Sequence, residues 1–569
     1  MYRSLLTSRL QSAFSSAQID VPTGFDLTVV LAADTRYGDY QSNAAMTLAK
    51  QLKTNPRALA QQVADKLEVA DVCEKVSIDG PGFLNFTISK EALAKKLSAI
   101  RSDDHLDVAV VAGPKTIVVD FSAPNIAKPM HVGHIRSTII GDCLARVARF
   151  VGHRVITDNH IGDWGTQFGM ILHGWKTILD QEALARDPIA ELVRCYKAVN
   201  AAAKADDAVL TTCREELVKL QQGDAENLSI WRKCVELSLA QLRTIYDRLD
   251  IRFDHFLGES HYNDKLAPLV AELLSGGIAR ESEGAICIFF EDISELADKP
   301  CIVRKSDGGF LYATTDLATI DHRIREWKAD EIWYVVGAPQ SLHFQQIFAA
   351  SKKRGHEARL AHIAFGSILG PDGKMFKTRS GESVGLIEVL DEAIERARAV
   401  VEERDGLSPD EKSAIADVIG IGAVKYAELS QHRMTDYKFS WDKMLSLQGN
   451  TAPYLINAYV RTRAIFRKLD GEVQFTDDIQ ITDAAERALA MKLAQLAEIT
   501  YDVLADYRPN LLASYLYELA NAYHAFYEAC PVLRSEGAVR NTRLVLCDAT
   551  SRVLKTGLSL LGIHTTERM

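Results

Sequence analysis

The stretch from residue 117 to 136 constrains this chain most, because it joins a buried strand to a helix through a loop that two prolines keep irregular. Residues 117–119 are β-branched without polar alternation, which indicates a strand covered on both faces, as in a parallel sheet. Pro124 and Pro129 then break regular structure. Apolar residues recur at helical spacing over 135–151, and another strand pattern follows. This order predicts a doubly wound α/β domain.

Two histidines mark the predicted start of this helix. His131 and His134 stand three residues apart, with Gly133 between them. A helix N-terminus presents free N–H groups and the positive end of the helix dipole, so it attracts phosphate. Imidazoles at this position can hydrogen-bond phosphate oxygens, and the glycine leaves room for a nucleotide to lie against the backbone. The pattern therefore predicts a nucleotide site.

A second glycine-bounded loop, residues 370–381, follows an apolar strand pattern and carries Lys374 and Lys377. Two lysines this close can hold nucleotide phosphates and neutralise the charge that develops during phosphoryl or adenylyl transfer. Their spacing does not match the template G-x-x-x-x-G-K-[ST], which excludes a P-loop.

Length, charge and cysteine use exclude several classes of protein. A chain of 569 residues is too long for one core and indicates three or four domains. Because the net charge is −10, any nucleic-acid contact must use local basic patches. No apolar run is long enough to cross a membrane. The nine cysteines contain no C-x-x-C pair, which favours a reducing cytoplasm and predicts no structural zinc.

The patterns around the histidines and lysines resemble one family. Residues 122–137, Ser-Ala-Pro-Asn-Ile-Ala-Lys-Pro-Met-His-Val-Gly-His-Ile-Arg-Ser, resemble the signature of the arginyl-tRNA synthetases, a class I aminoacyl-tRNA synthetase family, in its bacterial form. The sequence from Lys374 to Thr378 is similar to the class I loop Lys-Met-Ser-Lys-Ser, from which Phe376 and Thr378 depart. In some members a lysine just before the histidines supplements this loop, and Lys128 occupies that place.

The resemblance implies a role for each matching residue. The implied catalytic residues are Lys128, His131, His134, Lys374 and Lys377. The implied ATP contacts are His131, Gly133, His134, Gly337, Lys374, Met375, Phe376 and Lys377. The implied arginine contacts are Asp120, Ser122, Asn125, Tyr312, Asp316 and Gln340. Tyr312 and Asp316 share one face of a predicted helix, and a carboxylate among planar acceptors suits a guanidinium group.

The resemblance extends to both ends of the chain, where it implies tRNA contact. Phe83 and Asn85 match an aromatic and an amide that the family uses on a D-loop base. Stacking plus an amide hydrogen bond is a common way to recognise unpaired RNA bases. Nearer the C-terminus, Tyr459, Arg461 and Arg463 lie on one predicted helix, where basic residues beside an aromatic suit phosphate contact and base stacking.

We predict three domains on this basis. The first, residues 1–108, is an additional α+β domain that contacts the tRNA elbow. The second, residues 109–400, is a Rossmann-like, doubly wound α/β catalytic domain of the class I synthetase type, interrupted by a helical insertion over about 175–285. The third, residues 401–569, is an all-α anticodon-binding bundle.

The implied reaction is ATP-dependent charging of arginine tRNA. Arginine and ATP form arginyl-adenylate, and a terminal ribose hydroxyl of the tRNA then takes the arginyl group. Mg²⁺ enters with ATP, and no covalent enzyme intermediate is needed. The expected partners are L-arginine, ATP and arginine tRNA, and the expected form is a cytoplasmic monomer without membrane contact.

Two alternatives remain open at this point. One is another class I enzyme, such as a cysteine or methionine synthetase or a small nucleotidyltransferase. The lack of a cysteine-rich zinc set weighs against the first two, and a length of 569 residues weighs against the third. The other alternative is a non-catalytic RNA-binding or regulatory homologue that has kept the fold, against which the intact histidines and lysines weigh.

Overall fold

The computed structural model describes residues 1–165, 167–370, 384–469 and 473–569. The lysine loop predicted from the sequence, with Lys374, Met375, Phe376 and Lys377, lies outside these residues. Within the described ranges, no helix combines the length and the apolar character needed to cross a membrane.

The N-terminal unit packs helices on a four-stranded antiparallel sheet. Its elements are α1 (Tyr2–Ser16), β1 (Val30–Leu31), β2 (Tyr40–Ser42), α2 (Ala44–Leu52), α3 (Pro56–Ala64), β3 (Cys73–Asp79), β4 (Phe83–Ile88) and α4 (Lys90–Ser102). The strands lie in the order β1-β2-β4-β3. Leu10 and Phe14 of α1 are buried in the same hydrophobic core as Leu84 and Phe86 of β4. The first helix is thus held by one buried apolar face.

The middle unit contains the parallel sheet that the sequence predicts. Its elements are β5 (Thr116–Asp120), α5 (Ile135–Phe150), β6 (Arg154–Asp158), α6 (Gln167–Ile178), α7 (Gln181–Arg186), α8 (Pro188–Ala205), α9 (Asp207–Gln221), α10 (Ala225–Arg248), α11 (Asn263–Ser275), β7 (Ala279–Ser282), β8 (Ala285–Ile288), β9 (Cys301–Arg304), α12 (Tyr312–Arg325), β10 (Glu331–Tyr334), α13 (Ser341–Lys353), β11 (Arg359–His362) and β12 (Ile368–Leu369). The sheet order is β11-β10-β5-β6, and all three pairings are parallel. The central strand β5 is therefore covered on both faces, as its β-branched run predicts.

The insertion after β6 is helical only in part. Helices α6 to α11 follow one another, but β7, β8 and β9 then form a three-stranded antiparallel sheet. The helical insertion expected up to about residue 285 thus ends at Ser275. Between β7 and β8, Glu283 and Gly284 both adopt positive φ, 52° and 79°. Two such residues form the tight turn of a β-hairpin. The prediction of a helix up to about residue 285 misses this turn.

The C-terminal unit is a helical bundle with one short strand. Its elements are α14 (Leu386–Glu402), α15 (Pro409–Leu429), β13 (Tyr437–Lys438), α16 (Trp441–Met444), α17 (Ala452–Arg467), α18 (Ala484–Ala494), α19 (Leu496–Asp506), α20 (Pro509–Ala529) and α21 (Gly537–Leu560). The C-terminal bundle is helical as expected, and β13, at residues 437–438, pairs in parallel with β12 of the middle unit. A strand of two residues has too little alternation to be recognised in a sequence.

The N-terminal and C-terminal units contact each other directly. Arg487 of α18 lies 2.7 Å from Asp39, and Arg3 of α1 lies 2.7 Å from Asp502 of α19. The buried carboxylate of Glu498, also on α19, accepts the backbone N–H of Arg3 at 2.8 Å. The two units expected to bind tRNA are thus in contact with each other.

Helix α5, which starts at the histidine pair, approaches β5 closely because of one glycine. A Cβ atom on Gly141 would lie 2.2 Å from Cγ of Phe121, the first residue after β5. Both residues are buried, so the aromatic ring has little space into which it could move. Gly141 therefore sets how near the histidine-bearing helix lies to the sheet.

We expect Gly141→Ala to destabilise the protein. Overpacking of a core costs about 1–3 kcal/mol or more, and the better helix propensity of alanine offsets only about 1 kcal/mol of it. The matched control is Gly113→Ala, since no atom lies within 4 Å of a Cβ there. Differential scanning calorimetry should show a Tm lower by about 1–2 °C for the first variant only, because the entropy of unfolding of so long a chain is large. Equal Tm values for the two variants would contradict this packing argument.

Candidate active site

The histidine pair is held by hydrogen bonds from its own backbone. Nδ1 of His131 accepts the N–H of Gly133 at 3.1 Å, and Nδ1 of His134 accepts the N–H of His131 at 3.2 Å. Burial, with the charge of His131 adding to it, lowers the pKa of His134 to about 4, and burial also lowers the pKa of His131. Both rings are therefore neutral near pH 7 with the proton on Nε2, which leaves two N–H donors for a ligand.

The loop between β5 and the histidines is strained. Ser122, Ala123 and Ala127 have positive φ values of 74°, 45° and 57°, which non-glycine residues rarely adopt. Side chains from other elements hold the loop in place: Asn159 accepts the N–H of Ala123 at 3.1 Å, and Ser238 accepts the N–H of Ala127 at 3.0 Å. Such conformations are found where a surrounding structure fixes a functional loop.

The chain just after residues 371–383, here named the lysine stretch, lies against residues 130–134, here named the histidine turn. The N–H of Val132 donates to the carbonyl of Val384 at 2.9 Å, and the N–H of Leu386 donates to the carbonyl of Met130 at 3.0 Å. His131 and Gly385 form a β-bridge between these bonds. Residues on the C-terminal side of 371–383 are thus bonded to the turn that carries the histidines.

A cluster of Asp316, His343 and Glu259, here named the acidic pocket, lies at the same edge of the sheet. Helix α12 precedes the parallel strand β10, so its first residues lie at the carboxyl edge, where the histidine turn also follows β5. Oδ2 of Asp316 lies 2.5 Å from Nε2 of His343. Burial raises the pKa of Glu259 to about 7, with the charges of Asp316 and Asp163 adding to the effect and His160 opposing it. The charge of Asp316 therefore acts on Glu259.

Tyr312 and Gln340 stand at the open side of this pocket. Tyr312 is 71% exposed, and the charge of Glu259 contributes, after burial, to raising the pKa of its phenol. Gln340 is exposed in a short turn directly after β10. Gly337, in the same segment, forms a parallel β-bridge with Phe365. These side chains are available to a ligand at the carboxyl edge of the sheet.

Asp120 has a different environment from the one expected of a substrate contact. Its carboxylate is 4% exposed, and Oδ2 accepts a hydrogen bond from Nη2 of Arg323 at 2.7 Å. The same nitrogen donates to Oδ2 of Asp158 at 2.7 Å. Because Arg323 belongs to α12, the cluster joins that helix to the ends of β5 and β6. We therefore assign Asp120 to holding α12 in place.

Three further predicted contacts lie in the loop after β5. The hydroxyl of Ser122 is 2.8 Å from that of Tyr246 and is buried. Asn125 is exposed, and its backbone forms a parallel bridge with the segment after β6. Nζ of Lys128 lies 5.3 Å from the centre of the Tyr196 ring on α8, so in this structure the ammonium group contacts the insertion.

The two predicted elbow contacts differ in accessibility. Asn85 is 2% exposed, and its Nδ2 donates to Oδ2 of Asp79 at 2.9 Å. Phe83 is half-buried at the start of β4. Phe83 is partly accessible at the surface, whereas Asn85 is enclosed in the sheet, and contact of either residue with a D-loop base stays a prediction.

The three residues predicted to contact RNA on α17 also differ in accessibility. Tyr459 is 2% exposed, and its hydroxyl donates to Oε1 of Glu567 at 2.7 Å, so it is not a stacking surface. Nε of Arg463 donates to the other oxygen of Glu567 at 3.2 Å. Arg461 is exposed. Of the three residues, Arg461 is the most accessible to a polyanion.

Sequence reasoning missed three residues that complete the site. Glu259 and His343 belong to the acidic pocket, and the hydroxyl of Tyr246 bonds both Ser122 and Asn159 at 2.8 Å. The only available signal was weak: Glu259 follows a glycine in a segment without strand or helix periodicity. His343 and Tyr246 lie within ordinary helical patterns.

A parallel sheet, a His-x-Gly-His turn at the start of the helix after its central strand and a C-terminal helical bundle define a class I aminoacyl-tRNA synthetase. Three family models match the chain: "tRNA synthetases class I (R), catalytic domain" over residues 96–441, "DALR anticodon binding domain" over 455–569 and "Arginyl tRNA synthetase N terminal domain" over 4–88. The chain belongs to the arginyl-tRNA synthetase family.

Relatives and solved structures agree with these matches. The chain is 44% identical to the arginine–tRNA ligase of Marinomonas sp. (strain MWYL1), over 100% of both chains. It is 45% identical to that of Chromobacterium violaceum, over 99% of each. The structure is similar to an arginyl-tRNA synthetase from Plasmodium falciparum, with a TM-score of 0.86, 28% identity and coverage of 100% of this chain and 99% of the other.

We expect the tautomers of the two histidines to be observable. Both imidazoles should be neutral with Nε2 protonated at about pH 7, and His134 should stay neutral down to about pH 5 because its pKa is lowered. Nitrogen-15 NMR of histidine-labelled protein can test this, with His131→Gln and His134→Gln assigning the signals. A charged imidazole at pH 7, or an Nδ1–H tautomer at either position, would refute the hydrogen-bond assignment.

Proposed function

We propose that the histidine pair and the acidic pocket activate arginine on this chain, together with Lys374 and Lys377. As an ATP-dependent arginine–tRNA ligase, the protein converts L-arginine and ATP into arginyl-adenylate and pyrophosphate. It then transfers the arginyl group to the 3′ end of arginine tRNA and releases AMP. The observation that best supports the site assignment is that a phosphate-binding type of turn and an acidic pocket lie at one edge of the same parallel sheet.

ATP is proposed to bind across the start of α5. The Nε2–H groups of His131 and His134 donate to phosphate oxygens, and the positive end of the helix dipole adds to the attraction. Gly133 is needed because a Cβ atom there would lie 2.8 Å from Cε1 of His131 and displace the ring. Gly337, after β10, is proposed to contact the nucleotide from the other side.

Catalysis is proposed to depend on alignment and charge neutralisation. The arginine carboxylate attacks the α-phosphate in line with the departing pyrophosphate, so no covalent enzyme intermediate forms. Lys374 and Lys377 neutralise the charge on the phosphates, and Met375 and Phe376 contact ATP. Lys128 serves the same purpose when its ammonium group leaves the insertion.

The side chain of arginine is proposed to occupy the acidic pocket. Asp316 and Glu259 accept the planar N–H fork of the guanidinium group, which an ammonium group cannot reproduce. The N–H of His343 holds one oxygen of Asp316 and so determines how the carboxylate faces the ligand. Tyr312 supplies a wall with a hydroxyl, and Gln340 supplies a further acceptor.

The α-amino and carboxylate groups of arginine are proposed to lie over the strained loop. Asn125 is exposed there and can bond them directly. The hydroxyl of Ser122 already lies between those of Tyr246 and Thr138, at 2.8 and 2.9 Å. Ser122 is therefore proposed to shape the loop that positions these groups.

Both end units are proposed to bind arginine tRNA, with Phe83 at the elbow and Arg461 and Arg463 on the anticodon side. Beside α17 lies a cavity of about 380 Å³. Its lining includes Lys468, Tyr527, Leu533 and Arg534. An exposed aromatic ring with two cations offers base stacking and phosphate contact, and it supplies the surface that buried Tyr459 does not.

The metal ion, the cellular compartment and the oligomeric state are also proposals. Mg²⁺ enters as part of the ATP substrate complex, bound by the phosphates. Among the described residues there is no cluster of three or more histidine, cysteine or acidic side chains that could hold a metal ion. All nine cysteines are free and buried, which suits a reducing cytoplasm. We propose that the chain acts there as a monomer.

We expect Asp316→Asn to raise the KM for arginine by about 10- to 100-fold, because a charge-assisted hydrogen bond is lost. The KM for ATP should change little, since the proposed ATP contacts lie on the histidine turn. ATP–pyrophosphate exchange in the presence of tRNA measures both constants. Asp264→Asn, an exposed acid on α11, is the matched control. Equal losses for arginine and ATP would place the amino-acid pocket elsewhere.

We also expect arginine affinity to depend on pH through Glu259. Its pKa of about 7 in the free protein means that the carboxyl is largely protonated at pH 6 and ionised at pH 8. A guanidinium group binds the ionised form, so the Kd for arginine should rise by up to about tenfold from pH 8 to pH 6. Isothermal titration calorimetry can measure this, and Glu259→Gln should flatten the profile. A wild-type Kd that does not vary with pH would remove Glu259 from the pocket.

A further inference from the structure

A buried cluster joins the histidine-bearing helix to the C-terminal unit. Arg136, the second residue of α5, is 1% exposed, and its Nη1 donates to the carbonyl of Thr435 at 3.0 Å. Its Nε lies 3.2 Å from Oε2 of Glu428 on α15, which is 2% exposed. Its guanidinium group lies 5.5 Å from the centre of the Tyr437 ring, and the hydroxyl of Tyr437 donates to Glu428.

The contact between Arg136 and Glu428 is close but poorly aligned. The distance of 3.2 Å makes an ion pair, yet Nε and Nη2 of Arg136 and Oε2 of Glu428 have no well-directed hydrogen-bond partner among the described residues. Buried polar groups in this state are costly, and small shifts of either element change their alignment. The position of α15 relative to α5 therefore affects the energy of this cluster strongly.

The same cluster reaches both segments that flank residues 371–383. Tyr437 begins β13, which pairs with Ile368–Leu369 just before that stretch. The residues just after it, 384–386, are bonded to the histidine turn at 130–132. Arg136 stands two residues after His134 and contacts the β13 segment. Arg136 thus links the segment before residues 371–383 to the segment after them.

We propose that Arg136 is a positioning residue that, through Glu428 and Tyr437, sets the spacing between the histidine turn and the segments flanking the lysine stretch. The ATP part of the site is then held in its working geometry by α15 of the C-terminal unit. The proposal rests on the proposed roles of His131, His134 and the lysines in ATP binding. It assigns no substrate contact to Arg136 itself.

The charge of Glu428 offers a way to observe this role. Burial raises the pKa of Glu428 to about 7, while the charge of Arg136 and the hydrogen bond from Tyr437 lower it. In the described part of the chain, Arg136 of α5 and Tyr437 of β13 are the charged or titratable groups that act on it. Below its pKa the carboxyl of Glu428 becomes neutral and the ion pair weakens, so kcat/KM for ATP should fall. Loss of the Tyr437 hydroxyl removes a contribution that lowers the pKa, so the decline should begin at higher pH.

The experiment compares Tyr437→Phe with Tyr501→Phe. Both changes delete one hydrogen-bonding hydroxyl group, but that of Tyr501 on α19 donates to the carbonyl of Ala109 and not to the cluster. ATP–pyrophosphate exchange with tRNA present should show kcat/KM for ATP about tenfold lower in Tyr437→Phe at saturating arginine, with an unchanged KM for arginine. Its Tm should lie no more than about 1–3 °C below that of Tyr501→Phe, because buried Glu428 loses one hydrogen-bond partner. Saturating arginine removes the separate pH effect of Glu259.

The pH profile and a second variant complete the test. The acid limb of kcat/KM for ATP should move to higher pH in Tyr437→Phe and should disappear in Glu428→Gln. Tyr437→Phe kinetics equal to those of Tyr501→Phe would overturn the proposal. Equal losses for ATP and arginine accompanied by a fall in Tm would also overturn it, by reducing the cluster to a stability role. A wild-type protein that fails to exchange pyrophosphate would instead refute the proposed function.

Discussion

The geometry of the site depends on one buried guanidinium group. Asp120 and Asp158 end adjacent strands, and in a medium of low dielectric their charges would repel each other. Arg323 bonds both through one nitrogen, and removing a partner from such a cluster typically costs about 3–5 kcal/mol. Because Arg323 is part of α12, the same cluster fixes the helix that carries Tyr312 and Asp316. A pocket proposed to recognise arginine is thus held in place by an arginine of the protein.

The sequence predicts the parts of the structure that local pattern determines, and it fails where distant partners decide. The buried strand, the broken loop and the histidine-led helix follow from residues 117–151, because periodicity and proline act within a few residues. Asp120 looks like a free acid in the sequence, but its partner Arg323 lies 203 residues away. Tyr459 likewise looks like an RNA-facing aromatic, yet its hydroxyl is bonded to a residue 108 positions along. Glu259 becomes significant only because folding brings it within the electrostatic influence of Asp316.

The C-terminal unit contacts the middle unit directly. Besides the strand pair β12–β13, the ammonium group of Lys425 on α15 donates to the carbonyls of Leu249 and Gly562, where α10 and α21 end. A cation at two helix C-termini is favoured by both dipoles. Burial nevertheless lowers the pKa of Lys425 to about 8. Lys425 thereby joins the insertion to the end of α21 in the C-terminal unit. Glu428, three residues further along α15, pairs with Arg136 of α5.

The contact between Arg3 and Glu498 has a consequence for how the protein is made. The two residues are 495 positions apart, so the first helix leaves the ribosome long before its partner helix exists. At about 5–20 residues per second, translation separates the two by roughly 25–100 s. During that interval the surface around Arg3 faces solvent or other cellular proteins. During this interval the N-terminal unit exposes charged groups that later form ion pairs, Arg3 with Asp502 and Asp39 with Arg487.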